Sequence, residues 1–111
     1  MSDLTDVQTL KALSAQRREL APEISGAFAA LQGKVFADGA LDRRTKELIA
    51  VAVAHATQCH WCIRAHTRGA LRAGATAQQL MEAVWVAAEM RAGAAYAHSA
   101  LAIDTMKQAP R

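Results

Sequence analysis

From Thr76 to Gln108 the chain reads TAQQLMEAVWVAAEMRAGAAYAHSALAIDTMKQ, apolar at helical spacing throughout and without a proline. A run of this length and period is helix, opened by Thr76 as its capping residue, with Gly93 the one point where it is expected to bend or divide. Apolar residues make up 52% of the chain and aromatics only 5%. The difference is mostly alanine, a strong helix former. Strand signals are absent, so the fold class is all-α, with closely packed interfaces of small residues. At 111 residues the chain is expected to form a single domain over 1–111, with a core of modest size. So much apolar area on a small helical domain has few places to hide. A homo-oligomer is therefore expected.

Shorter helices precede the long one. The first is predicted from about Thr5 to Arg18. Pro22 suits the first turn of a second, which runs to about Phe36. ADGALD then breaks the chain, with Asp38-Gly39 as a turn and Asp42 as the next N-cap. A third helix follows from about Arg43 to Thr57, and a fourth from about His60 to Ala73, ended by Gly74. Met81, Trp85 and Met90 read as core, and His98 and Tyr96 as core or interface residues of the last helix.

The formal net charge is +3, with basic residues interleaved with acids in QRREL and DRRTKE. The stripe of aromatic and basic residues that single-stranded nucleic acid needs is missing, so no nucleic-acid partner is expected. Arg64, Arg68 and Arg72 share one helix face at i, i+4, i+8. That face is read as solvated or as an oligomer rim, the alternative being attraction of an anionic partner. MSDLTDVQTLKAL lacks the apolar centre of a secretory signal. The longest apolar run, Leu48 to Ala54, is too short to span a bilayer. The expectation is a cytoplasmic protein with no membrane partner.

The chemistry concentrates in ELIAVAVAHATQCHWCIRAH, which holds both cysteines, Cys59 and Cys62. In a reducing compartment the C-x-x-C spacing points to redox or metal chemistry and away from a permanent bridge. On a helix, Cys59, Cys62 and His66 form one stripe. Glu47 lies roughly ten residues before the turn near Thr57, about 15 Å of rise, and His66 roughly eight after it, about 12 Å. An antiparallel hairpin of the third and fourth helices therefore brings Glu47 across from His66. The spacing predicts a Glu–His–Cys chain, with Cys59 as a second sulfur one turn away.

A helix N-terminus and a neighbouring histidine both favour the thiolate, which is the nucleophilic form. A carboxylate on the histidine orients it, as in a catalytic triad. A thiolate meeting a peroxide gives a sulfenic acid, and a nearby thiol condenses with it to a disulfide. Cys62, nearer His66, is the better attacker, and Cys59 the resolving thiol. The plainer alternatives are that Glu47 is a solvated residue and His66 an ordinary helix-surface histidine. A zinc site of Cys59, Cys62 and His66, with His55 or His60 as fourth ligand, is a further rival. Structural zinc usually draws on two separated knuckles, and here there is one, so no metal is expected. His55, near the face of Glu47, either lines the pocket or caps the helix end. Trp61 is read as core or pocket wall.

The pattern E-x11-C-x2-C-x3-H, here Glu47, Cys59, Cys62 and His66, resembles the core of AhpD-like alkylhydroperoxidases in the carboxymuconolactone decarboxylase superfamily. The flanking GALDRRTKELIAVAVAHATQCHWCIRAH agrees, and the resemblance runs from about Ala37 to Leu101. It implies an all-α AhpD-like fold with a central helix hairpin carrying the C-x-x-C, assembled as trimers or hexamers. It also implies thiol peroxidase activity, with Cys62 resembling the peroxidatic cysteine, Cys59 the resolving one, and His66 and Glu47 the proton relay. A lipoyl-bearing protein or a peroxiredoxin is the implied redox partner. The chain departs from the best-known members at Trp61, where they carry a histidine; here His60 sits one place earlier.

The leading expectation is thus a cofactor-free thiol-dependent peroxidase or disulfide reductase acting on hydroperoxides. A lyase of the decarboxylase branch, with Glu47 and His66 as acid and base, is the alternative, followed by a non-enzymatic oligomeric redox sensor.

Overall fold

The computed structural model describes residues 6–110 as helices and short connections, with no strand among them. They form α1 (Val7–Leu20), α2 (Pro22–Phe36), α3 (Arg43–Thr57), α4 (His60–Arg72) and α5 (Ala77–Gln108). The expected start of the first helix at Thr5 lies outside the described residues. Asp6 caps α1 by accepting the Thr9 N–H at 2.9 Å. Pro22 opens α2, where its missing N–H leaves nothing unsatisfied. Asp42 caps α3 by accepting the Thr45 N–H at 2.8 Å. Thr76 and Gln79 form a reciprocal capping box at the start of α5.

α3 and α4 end in the same way. Gln58 adopts the left-handed conformation with φ 59°, and the Cys59 N–H reaches back to the Ala54 carbonyl at 3.0 Å. After α4, Gly74 has φ 94°, and the Ala75 N–H reaches back to the Ala70 carbonyl at 2.9 Å. Both are Schellman closures, which satisfy carbonyls that a helix end leaves without partners. Glycine takes this conformation freely. Gln58 adopts it with a side chain, whose Nε2 donates to the His55 carbonyl at 3.0 Å.

The helices fall into two groups, α1–α2 and α3–α5. In the first, α1 and α2 pack on each other. Ile24, Phe28, Leu31 and Val35 follow one face of α2, and all remain exposed. In the second, α3 packs against both α4 and α5 and so forms its centre. The apolar residues buried among those described are Val51, Ala54, Ala70, Ala75 and Ala87. Side chains this small let neighbouring helices approach closely. The Arg91 guanidinium of α5 donates to the Ala56 carbonyl in the last turn of α3, which ties the two helices at that end.

Two expectations are corrected. Met81, Trp85 and Met90 are exposed, Trp85 at 68%. They occupy faces of α5 that α3 does not cover, so they are not core of this chain. Tyr96 and His98 are likewise exposed. Nor does Gly93 divide α5, which continues to Gln108. One helix-interior glycine costs only about 1 kcal/mol against alanine, too little to end a helix otherwise rich in good formers. No helix among the described residues is long and apolar enough to cross a membrane.

Candidate active site

Glu47 enters the site from α3. It is 3% exposed, and no other charged or polar residue among those described is so buried. A buried carboxylate needs partners to offset its lost hydration. His66, on α4, donates its Nδ1–H to Glu47 Oε2 at 2.8 Å. The donor is assigned by chemistry, since a carboxylate only accepts. On the other side, Nη2 of Arg43 lies 3.6 Å from Oε1. Arg43 is one turn earlier on α3, which makes this an i, i+4 pair. The third neighbour is Gly69 of α4. A Cβ built there would stand 2.6 Å from Oε2, 2.7 Å from Cδ and 2.8 Å from Oε1 of Glu47.

The two cysteines sit at the other end of α4 and are joined as a disulfide, with their Cα atoms 5.3 Å apart. Cys59 is the N-cap of α4, its Sγ accepting the Cys62 N–H at 3.3 Å. A sulfur in this position is stabilised as an anion by the unsatisfied N–H groups of the helix start. His66 follows Cys62 by one turn of the same helix. The helical register thus sets the disulfide and the Glu47–His66 pair along one side of α4.

Of the residues singled out by sequence, Glu47 and His66 meet, and Cys59 and Cys62 meet. His55 instead donates its Nδ1–H to the Val51 carbonyl of its own helix, at 2.8 Å. Trp61 is about half exposed, at 49%, and so is not core. His60 is exposed. His98 donates its Nδ1–H to the Ala94 carbonyl at 2.7 Å on α5. No group of three or more His, Cys, Asp or Glu side chains among the described residues is arranged to hold a metal ion. Two neighbours of Glu47 escaped the sequence reading. Arg43 was signalled by its i, i+4 spacing from Glu47 within RRTKE. Gly69 was signalled as a glycine in a helix, three residues beyond His66.

The profile of the Carboxymuconolactone decarboxylase family matches residues 22–105, from the start of α2 into the last turns of α5. The chain belongs to this family. An apo carboxymuconolactone decarboxylase family protein from Legionella pneumophila superposes with a TM-score of 0.71 at 37% identity, over 75% of this chain and 74% of that one. A protein from Methanobacterium thermoautotrophicum superposes with a TM-score of 0.70 at 42% identity, over 77% and 94%. Uncharacterized protein 4 in the cox locus of Paracoccus denitrificans is 57% identical over 108 residues, 97% of this chain and 96% of that protein. The two superpositions show that this carboxymuconolactone decarboxylase family chain shares the helical fold of solved relatives.

Proposed function

We propose that this chain is a thiol-dependent peroxidase or disulfide reductase of the AhpD type, working through Cys59 and Cys62. The observation that carries the reading is the buried Glu47 carboxylate holding Nδ1 of His66 at 2.8 Å, one turn of α4 from a bonded cysteine pair. With Nδ1–H committed to Glu47, His66 exchanges protons through Nε2. In the reduced protein Nε2 takes the Cys62 thiol proton. The thiolate attacks the distal oxygen of a hydroperoxide, the O–O bond breaks, and Cys62 becomes a sulfenic acid. The departing alkoxide takes the proton from His66 and leaves as an alcohol. Cys59 then attacks the Cys62 sulfur, expelling hydroxide, which is protonated to water, and the disulfide forms. An external dithiol reduces the disulfide by two exchange steps and is itself oxidised to a disulfide.

The natural reductant class is a lipoyl-bearing protein, and a peroxiredoxin is the natural protein acceptor, its disulfide reduced by the Cys59–Cys62 dithiol. The cycle belongs in the cytoplasm, where thiols are kept reduced. The chain works as one domain, the α3–α4 pair forming its redox hairpin. One domain is supported by a family profile that runs from α2 into α5. It assembles as a trimer or hexamer, supported by the exposed apolar residues along α2 and α5. The deciding experiment is stopped-flow mixing of the reduced protein with hydrogen peroxide and with an organic hydroperoxide, with thiols counted before and after. Loss of both thiols per chain at a saturable rate is expected. Unchanged thiols would sink the reading.

The family match favours one alternative, a lyase using Glu47 and His66 as acid and base. It requires turnover of a lactone that persists in a chain carrying both Cys59→Ser and Cys62→Ser. Slow oxidation without multiple turnovers would instead mark a redox sensor.

A further inference from the structure

We propose that Gly69 is a positioning residue of the site: its missing side chain is the space into which the Glu47 carboxylate settles to hold His66. The three nearest atoms to a Cβ at Gly69 would be Oε2, Cδ and Oε1 of Glu47, at 2.6, 2.7 and 2.8 Å. Such separations are well inside van der Waals contact, so a methyl group and this carboxylate cannot share the space. Gly69 is itself buried within α4. Glycine is disfavoured in a helix interior relative to alanine. Its backbone does not call for glycine either, because Gly74 is the glycine with positive φ. The three atoms nearest to that Cβ all belong to the Glu47 carboxylate, and none of the three is backbone. What remains is room for that carboxylate.

The carboxylate is held from two other directions. His66 Nδ1 is 2.8 Å from Oε2, and Arg43 Nη2 is 3.6 Å from Oε1. Arg43 has a side chain 59% exposed, against 4% for Glu47. A methyl at position 69 pushes the carboxylate off α4 and away from His66, with Arg43 offering the nearest alternative partner. The imidazole then loses the acceptor that fixes its tautomer and ring orientation. Gly69 thus acts on the reaction only through Glu47 and His66. The rate arm of the test rests on the peroxidase reading given above; the geometric arm does not.

The test uses the full chain with Gly69→Ala, Glu47→Gln, both together, and Gly69→Ala with Glu47→Asp. The geometric readout is the low-field proton NMR signal of the imidazole Nδ1–H bonded to a carboxylate. The kinetic readout is the pH profile of the reaction of the reduced protein with hydrogen peroxide. Gly69→Ala should lose the signal and slow the reaction by the same factor as Glu47→Gln, roughly 10²-fold or more. The two together should be no slower than Glu47→Gln alone. Glu47→Asp, one methylene shorter, should restore part of the signal in the Gly69→Ala chain.

A Gly69→Ala chain that keeps the signal and the wild-type profile overturns the proposal, as do losses that multiply in the double variant. Loss of the signal with no change of rate in either single variant upholds the positioning role and sinks the peroxidase relay instead. If Gly69→Ala fails to fold, Gly69→Ala with Glu47→Ala must fold, because the colliding carboxylate is gone. Its failure also overturns the proposal.

Discussion

Cys59 and Cys62 differ in what surrounds them more than in how far they lie from a helix start. Cys59 is the N-cap of α4, and its sulfur accepts a backbone N–H at 3.3 Å. Cys62 is the sulfur one turn from His66, whose other side is fixed by Glu47 at 2.8 Å. On the proposed peroxidase reading, proton transfer to His66 makes Cys62 the attacker, and the cap makes Cys59 the thiolate that closes the disulfide. Cys62→Ser should therefore abolish peroxide consumption. Cys59→Ser should react once and then hold a sulfenic acid that over-oxidises. Mass spectrometry after one equivalent of peroxide, which should show the sulfenic acid, and after an excess, which should show its over-oxidation, distinguishes the two, and equal inactivity of both variants would remove the assignment. The Glu47–His66 pairing was legible because helical rise alone fixes the height of both residues. For Arg43 and Gly69 the sequence carried only a spacing and a helix-interior glycine, because their part depends on which way the Glu47 side chain turns once buried.

At the scale of the elements, nearly every helix boundary carries a local chemical reason. Gly74, after α4, has φ 94° and would meet no atom within 4 Å if it carried a Cβ. Gly74→Ala should nevertheless destabilise the protein by about 1–2 kcal/mol, wholly through the backbone. Urea unfolding measures this, and an unchanged midpoint would mean the closure can reform elsewhere. The cap of α3 adds a pH dependence. The Thr45 backbone N–H, and after it the Thr45 hydroxyl, hold the Asp42 carboxyl below its ordinary value of 3.8. A lowered folded value means that the cap contributes fully above that ordinary value. The contribution is lost as pH falls through the folded value. Asp42→Asn, still a good N-cap, should flatten that acid-side loss, as thermal melting across the acid range would record. These boundaries could be read early because capping residues, first-turn proline and terminal glycine act within a few positions of sequence. Gln58 in a glycine-like conformation could not, since nothing in its residue type announces it.

For the whole molecule the controlling fact is a small core. The apolar residues buried among those described are one valine and four alanines, while Trp85, Tyr96, Leu101 and Met106 of α5 are exposed. Apolar surface of this kind is ordinarily covered in solution, which is why we propose a homo-oligomer. Light scattering at micromolar concentration should return a species of at least three chains. Trp85→Glu should shift it toward smaller species without loss of helicity. A wild-type monomer would defeat the proposal. Alanine-rich composition announced a shortage of internal cover. It did not say which large side chains would lack it, and for that reason Met81, Trp85 and Met90 were misread as core.

What the sequence by itself determined is whatever depends on local rules. Helix extents follow from caps and period, and the meeting of Glu47 with His66 follows from rise per residue and one turn. Tertiary structure decided what depends on side-chain direction and on neighbours far along the chain. The burial of Glu47 against Gly69, its sharing between His66 and Arg43, and the Arg91 tie from α5 to the end of α3 are of that kind. A helical pattern specifies the face on which a residue stands. Which atoms that face meets, and how much room they leave, is fixed only when a second helix packs against it.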